Sequence, residues 1–384
     1  MKYFIFGFSL IFFPVVIFNL YMDPSGLYVK DNLQTIKSVE KLLKGETVVQ
    51  SPNFSTRLLH KELIKRNNNP CDIVIIGTSR VHNINSRTLP NFKLMNHGLG
   101  AATLFDLIGI VQTYLKKKKS LPKIVLIGVD EWLFHEKRTK NIYQWEIFAS
   151  EIDQYLKNQR VSIPIEWANW FYGSRKREFW LRLKTIMSFQ YLKDSLQQYL
   201  IENNKVGTQT LTDETVTLFP DGHMEFPFKM RNRTQDEVDS KLNQTINYFQ
   251  NYTLADFNSL GHFELELFYS LIQTMIDNGI TPVFFLSPHH HSVFEYMSKR
   301  SEGKKIKDVE MLLRKYAKEK DILIIGSYDP YQVPCGSDEY MDEHHMKESC
   351  YERIFKTLSQ DLAKSGNKML LHQKAADFEA KTYK

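Results

Sequence analysis

The chain has 384 residues, of which 42% are hydrophobic and 24% charged, and it carries a formal net charge of +6 at pH 7. These proportions are typical of a folded globular protein and exclude a wholly disordered chain. Basic residues are spread along the sequence, apart from a lysine run at residues 116–119 that ends a predicted helix, so we expect no nucleic-acid partner.

The N-terminal segment is apolar. Residues 3–21 contain no charged side chain, and 19 residues in a helix are long enough to cross a bilayer. Lys2 precedes the segment, which favours a cytoplasmic N-terminus, and no small-residue cleavage pattern follows it. The sequence therefore predicts a transmembrane signal anchor over residues 1–22. The protein is then expected to cross the inner (cytoplasmic) membrane once and to face the periplasm or the cell exterior.

A mostly helical connector is predicted over residues 23–70, and an alternation of apolar strands and helices follows over residues 71–365. The predicted strands are residues 72–77, 93–96, 123–130, 281–287 and 322–325. Strands that alternate with helices predict an α/β fold, here a three-layer α/β/α sandwich with a mainly parallel sheet. An aromatic and irregular stretch at about residues 135–260 is predicted to be a large insertion, and residues 366–384 a flexible tail.

The three cysteines carry little information about function. Cys71, Cys335 and Cys350 are an odd number without CxxC spacing, so they indicate neither a zinc site nor a disulfide framework. A single bridge, such as one between Cys335 and Cys350, is compatible with an oxidising compartment.

A serine follows the first predicted strand of the α/β region. Ser79 comes two residues after Gly77, where that strand ends. Ligands of open parallel sheets bind at the carboxyl ends of the strands, so Ser79 is placed for a nucleophile if a base and an oxyanion site come from elsewhere. The alternative interpretation is that Ser79 is a helix N-cap.

The loop before the last predicted helix offers a base and an acid. Asp342 precedes His345 by three residues, and this spacing lets a carboxylate in a turn reach the imidazole nitrogen that does not face the serine. His344 is the alternative base and Asp338 the alternative acid.

A second histidine cluster follows the strand predicted at residues 281–287. His289, His290 and His291 are candidates for substrate contact, His289 in particular, and histidine clusters also bind zinc. Three adjacent residues of extended chain do not all face one way, so we predict no metal site there.

Four short sequence blocks occur in chain order. They are Gly77–Arg80, Asn96–Gly98 with Gly100, Gly128–Asp130, and Asp342–His345. Together they resemble the SGNH (GDSL-like) hydrolase superfamily. The resemblance is closest to its membrane-anchored branch, which includes relatives of the alginate O-acetylation and teichoic-acid D-alanylation proteins. It covers about residues 72–130 and 280–355 and implies an SGNH/flavodoxin-like fold.

The resemblance assigns roles to individual residues. It implies that Ser79 is the nucleophile, His345 the base and Asp342 the acid that orients it. The backbone amides of Ser79 and Gly98 would form the oxyanion hole.

Four further residues of these blocks are candidate contacts. Asp130 stands where the family has an asparagine oxyanion donor: it is protonated, or is turned aside to pair with Arg80 or the serine loop, or marks weakened catalysis. Arg80 recognises an anionic substrate or bridges to Asp130. Asn96 and His97 are candidates for substrate binding, with a turn contact as the alternative for His97.

The resemblance also implies a function. We expect a membrane-anchored extracytoplasmic serine esterase or O-acyltransferase that acts on acyl groups of a cell-envelope polysaccharide. Its expected substrate is that glycan or an acyl ester, its expected partner a membrane-bound O-acyltransferase, and no cofactor or metal is expected. The alternative is a catalytically weak binding or assembly subunit of the same fold in a surface-polysaccharide system.

Overall fold

The computed structural model describes residues 13–24, 28, 33–50, 54–90, 92–117, 121–136, 147–159, 180, 182–202 and 215–365. The chain divides into two compact units. The larger unit comprises residues 67–161, 221–224 and 230–384, and the smaller one residues 1–66, 162–220 and 225–229. The stretch predicted as an insertion is thus shared between the units. The predicted tail at residues 366–384 lies outside the described residues.

The larger unit is built on a parallel sheet of five strands. They are β1 (Ile73–Gly77), β2 (Leu94–Gly98), β3 (Ile124–Gly128), β4 (Thr281–Leu286) and β5 (Leu323–Gly326). Their order across the sheet is β2-β1-β3-β4-β5, and every neighbouring pair is parallel. From β1 the chain continues to β2, at one edge of the sheet, and then crosses to β3, which lies on the other side of β1. The carboxyl ends of β1 and β3 therefore flank the topological switch point, where open α/β sheets bind ligands.

Helices cover both faces of this sheet. They are α1 (Leu104–Lys117), α2 (Ala149–Gln159), α3 (Gln235–Asn247), α4 (His262–Asp277), α5 (His291–Ser298), α6 (Ser301–Lys320) and α7 (Glu348–Ser365). Adjacent residues of β4 face opposite ways: the Phe284 ring lies 5.4 Å from that of Phe268 in α4, and the Phe285 ring 5.1 Å from that of Phe355 in α7. Because both faces are buried, the strands are mostly apolar, and the exceptions Asn96 and His97 of β2 are buried and hydrogen-bonded.

Glycines at the ends of three strands allow the chain after β1 to pack onto the sheet. Val81 is fully buried against these strand ends. A Cβ atom at Gly128 would lie 2.5 Å from Val81 Cγ1, and one at Gly98 would lie 2.8 Å from Val81 Cγ2. Both distances are shorter than carbon atoms tolerate, so glycine is required at these positions. The turn that carries Ser79 is thereby held on the carboxyl edge of the sheet.

A disulfide joins Cys335 to Cys350, with Cα atoms 5.4 Å apart. Cys350 belongs to α7, and the loop that the bridge closes contains Asp342 and His345. Disulfides persist in oxidising compartments and are rare in reducing ones.

Reduction of this bridge is expected to lower the free energy of unfolding by about 3 kcal/mol. The disulfide links residues 15 positions apart and so restricts the unfolded chain, and reduction removes that restriction. Urea unfolding with and without a thiol reductant measures the effect. Cys350→Ala should behave like the reduced protein with or without reductant, and Cys71→Ala, which removes the free cysteine but keeps the bridge, should respond to reductant as the wild type does. An unfolding midpoint that is insensitive to reductant would contradict the prediction.

The smaller unit contains helices at residues 13–22, Leu33–Leu43, Thr56–Arg66, 182–186 and Phe189–Glu202, and an antiparallel pair of strands, Val48–Gln50 and Val216–Leu218. Buried polar contacts link its segments: Asn19 Nδ2 donates to Ile186 O (2.7 Å), and Tyr191 OH donates to Asp23 Oδ1 (2.6 Å). Two short elements, Met224–Glu225 and Phe228–Arg231, lie where the chain passes between units.

The fold prediction is wrong in its transmembrane helix. In the part of the chain that the structure describes, no helix has both the length and the apolar character needed to cross a membrane. Residues 1–12 of the predicted anchor lie outside the described residues.

Candidate active site

Ser79 begins a single turn of 3-10 helix, Ser79–Val81, directly after β1. The N-cap of this turn is Thr78, whose Oγ1 accepts the Arg80 amide at 3.3 Å. The alternative interpretation of Ser79 as a cap is therefore wrong. Since Thr78 does the capping, the Ser79 hydroxyl is left to interact elsewhere.

Ser79, His345 and Asp342 form a connected triad. Ser79 Oγ lies 2.8 Å from His345 Nε2, and His345 Nδ1 lies 2.8 Å from Asp342 Oδ2 and 2.9 Å from Asp342 Oδ1. In this arrangement Nδ1 carries the proton given to the carboxylate, which leaves Nε2 to accept the serine proton. The distances are those at which a general base activates a nucleophile.

The three-residue spacing of the acid and base has a local cause. Asp342 Oδ1 accepts the backbone amides of His344 (3.0 Å) and His345 (2.9 Å), so the carboxylate closes its own turn. Burial acts to raise the pKa of Asp342, but His345 and these amides hold it well below its usual range. Asp342 is therefore ionised whenever His345 acts as a base.

Hydrogen bonds fix the loop that carries Asp342 and His345 against the turn that carries Ser79. Asn83 Nδ2, two residues after that turn, donates to Met346 O at 3.0 Å, and the His290 amide donates to Glu343 O at 2.9 Å. The Met341 amide donates to His345 O at 2.8 Å. The segments that follow β1 and β4 thus meet the loop of Asp342 and His345 at one place, although His345 is 266 residues from Ser79 in sequence.

The alternative acid and base do not take these positions. Asp338 is exposed, and its carbonyl accepts from Lys347 Nζ. The His344 ring packs against that of His345, with centroids 4.3 Å apart, while Nε2 of His345 faces the serine. Burial, with repulsion from His345, lowers the pKa of His344 well below its usual value, so His344 is neutral near pH 7.

Asp130 is turned away from the oxyanion role. Its carboxylate accepts a short hydrogen bond from Thr78 Oγ1, and Oδ1 lies 3.3 Å from Arg80 Nη1. Burial raises the pKa of Asp130 to about 6 despite the opposing attraction of Arg80. The expectation that Asp130 serves the oxyanion hole is wrong, since both contacts require the carboxylate as an acceptor. Of the three interpretations, pairing with Arg80 and the serine loop is the one observed.

The second predicted oxyanion donor is also engaged. The Gly98 amide donates to Asn96 Oδ1 at 2.8 Å, so its assignment to the oxyanion hole is wrong. Asn96 Nδ2 donates to the carbonyls of Val81 and Ile84, both at 2.7 Å, and the side chain is buried. Asn96 therefore clamps the serine turn to β2 and does not contact substrate as predicted. The Ser79 amide remains as the predicted oxyanion donor.

Arg80 and His289 belong to a buried ionic network rather than to a substrate site. The Arg80 guanidinium is fully buried and forms a fork with Glu131, at 3.2 and 3.4 Å. His289 bridges the pair: Nδ1 lies 3.2 Å from Arg80 Nη2, and Nε2 lies 2.8 Å from Glu131 Oε1. Burial lowers the pKa of His289, while Arg80 and His289 overcome burial to hold that of Glu131 at about 2. The predicted substrate contacts by Arg80 and His289 are not observed, because both side chains are fully buried and already paired with Glu131 and with each other.

His97 is a core histidine. It is fully buried, and Nε2 lies 2.7 Å from the hydroxyl of Tyr114 in α1. The predicted substrate contact is wrong for the same reason as for Arg80. His290 and His291 do not join His289, since His290 caps α5 and places Nε2 3.2 Å from Ser337 O.

Sequence reasoning missed three residues around the triad. Glu131 could have been found from the sequence. It follows Asp130 directly after a buried strand, and a charged residue at such a place needs a partner. Trp132 lies over the Arg80 guanidinium, 4.4 Å from ring centroid to Cζ. Tyr252 comes from the irregular stretch, and no signal in the sequence connects it with the site.

One group of ligand-type side chains within the described ranges has donor atoms within 4.8 Å of one another, namely Asp342, His344 and His345. The Asp342 carboxylate and His345 Nδ1 are hydrogen-bonded to each other, and Nε2 faces Ser79. These atoms are therefore used by the triad.

No family model matches this chain, and no curated protein matches it either.

Proposed function

We propose that the protein is a serine-dependent ester hydrolase or O-acyltransferase of the SGNH type, acting on acyl groups of a cell-envelope polysaccharide. The observation that carries the proposal is the hydrogen-bonded sequence from Ser79 Oγ to His345 to Asp342, at 2.8 Å for each step. Its place at the switch point of a parallel sheet supports the same chemistry.

The mechanism follows from this geometry. Nε2 of His345 takes the proton of Ser79 Oγ as that oxygen attacks the ester carbonyl, and Asp342 stabilises the imidazolium that forms. The imidazolium returns the proton to the departing alcohol, which leaves an acyl-serine. Water as the acceptor completes hydrolysis, and a sugar hydroxyl as the acceptor completes transfer.

A second candidate function has its own support. Two of the three predicted oxyanion donors, Gly98 and Asp130, are engaged in structural contacts. One lost donor costs about 10²–10³-fold in kcat in serine enzymes. This observation favours a catalytically weak binding or assembly subunit of a surface-polysaccharide system over an efficient enzyme.

Location and partners are part of the same proposal. The disulfide between Cys335 and Cys350 supports an oxidising location outside the cytoplasm. Partners of matching chemistry would be an envelope glycan as the substrate and a membrane-bound O-acyltransferase as the acyl donor.

Labelling with a fluorophosphonate probe tests the proposal. The full-length protein is expected to form a covalent adduct on Ser79, detected by intact mass and peptide mapping, because the probe reacts with base-activated serines. Ser79→Ala should abolish the adduct. Ser292→Ala is the matched control, since Ser292 is the second residue of helix α5 and lies outside the triad.

The rate of labelling separates the two candidates. An efficient enzyme should label within minutes and hydrolyse p-nitrophenyl acetate with a dependence on Ser79. A folded protein that is not labelled at all contradicts the enzyme and favours the binding subunit.

A further inference from the structure

On the side of the triad occupied by His344, three buried polar atoms lack a hydrogen-bond partner in the described part of the chain. Tyr252 OH, His344 Nδ1 and Glu343 Oε2 make no hydrogen bond among the described residues. Tyr252 is only 8% exposed, and burial raises the pKa of its hydroxyl well above the usual value against the opposing influence of Arg80. Buried polar groups of native proteins are almost always paired, so an unpaired group beside a catalytic centre indicates a polar ligand.

Aromatic rings surround the same place. The ring centroid of His344 lies 5.9 Å from that of Trp132 and 6.4 Å from that of Tyr252. Trp132 is partly exposed, and the Arg80 guanidinium packs against one face of its ring. Aromatic walls with a few polar atoms suit a ligand that has both apolar faces and hydroxyl groups.

The position of His344 indicates which half of an ester would lie there. Its ring packs on His345, with centroids 4.3 Å apart. His345 is the group that returns a proton to the departing alcohol, so residues beside it line the alcohol side of the scissile bond. Burial keeps His344 neutral by lowering its pKa and keeps Tyr252 neutral by raising its pKa. Neutral groups suit uncharged hydroxyls.

We propose that Trp132, Tyr252 and His344 form a subsite for the alcohol half of the substrate and that this alcohol is a sugar. The inference rests on the proposed function, since it names the substrate class of the same site. The Tyr252 hydroxyl hydrogen-bonds a sugar oxygen, and Trp132 packs against the ring of the sugar.

Two acetate esters that differ only in the alcohol test the subsite. Kinetics with the full-length protein compare mono-O-acetylglucose with p-nitrophenyl acetate. Tyr252→Phe is expected to lower kcat/KM for the sugar ester about fivefold, as for the loss of one neutral hydrogen bond, and to leave p-nitrophenyl acetate within about twofold. The matched control is Tyr248→Phe, because Tyr248 is four residues away and 59% exposed. Equal changes for both esters, or no change for the sugar ester, would overturn the subsite.

A binding measurement separates this inference from the proposed function. Saturation-transfer NMR with mono-O-acetylglucose should detect contact with Ser79→Ala, and adding Tyr252→Phe should weaken it. If the wild type neither labels nor turns over ester but binds the sugar through Tyr252, the subsite stands and the enzyme does not. If sugar fails to bind Ser79→Ala, or binds equally without the Tyr252 hydroxyl, the subsite is wrong whatever the activity.

Discussion

Asp342→Asn is expected to lower kcat for p-nitrophenyl acetate about 10⁴-fold, in line with the loss of the triad acid in other serine enzymes. An asparagine would present its amide to Nδ1 of His345 and favour the tautomer with the proton on Nε2, which cannot accept the proton of Ser79. Steady-state kinetics of the purified variant, with circular dichroism to verify folding, measure the effect.

Asp338→Asn is the matched control. Asp338 lies in the same loop, four residues earlier, and is exposed. Its substitution should leave kcat within about twofold, as for a surface change away from the triad. Loss of activity in Asp338→Asn equal to that in Asp342→Asn would show that the loop, and not the carboxylate on His345, is what matters.

Arg80→Met is expected to lower the free energy of unfolding by about 3–5 kcal/mol, the cost of removing one partner from a buried ion pair. Methionine fills much of the same volume but leaves the carboxylates of Asp130 and Glu131 buried without a countercharge. Urea unfolding followed by fluorescence measures the change. Neutralising Glu131 in the same chain, as Arg80→Met with Glu131→Gln, should recover part of the loss.

The control for this effect is an exposed arginine seven residues away. Arg87 pairs with Glu348 at 2.8 Å, but its side chain is 65% exposed. Arg87→Met should cost less than about 1 kcal/mol, because exposed ion pairs are screened by water. Similar losses for Arg80→Met and Arg87→Met would argue against a structural role for the buried network.

Four of the five parallel strands could be predicted because each is a short apolar run bounded by glycine, proline or polar residues, and β2 is the exception with Asn96 and His97 in it. Residues 72–77 and 281–287 are examples, and β1 and β4 occupy Ile73–Gly77 and Thr281–Leu286. Burial on both faces makes such strands apolar throughout, and this signal is local. The N-terminal segment shows the limit of prediction from apolar composition, since that composition suggested a transmembrane helix that the described residues do not contain.

The triad could be proposed from sequence because two local rules apply to it. A serine directly after a central strand lies at the carboxyl edge of the sheet, and an acid three residues before a histidine closes a turn onto that histidine. Asn96, His97 and Arg80 lie in the same sequence blocks, and His289 follows β4, but all four are buried. Proximity in sequence to a site does not show whether a side chain faces the ligand or the core.

The sequence by itself determined the alternation of strands and helices, the position of Ser79 at a strand end and the turn that joins Asp342 to His345, because each depends on residues within a few positions. Only the tertiary structure decided how polar side chains pair across strands. It directed Asp130 to Thr78 and Arg80, Gly98 to Asn96, and Tyr252 to His344. Apart from the contact between Gly98 and Asn96 within β2, these contacts depend on burial and join residues 50 to 92 positions apart, and no local pattern carries that information.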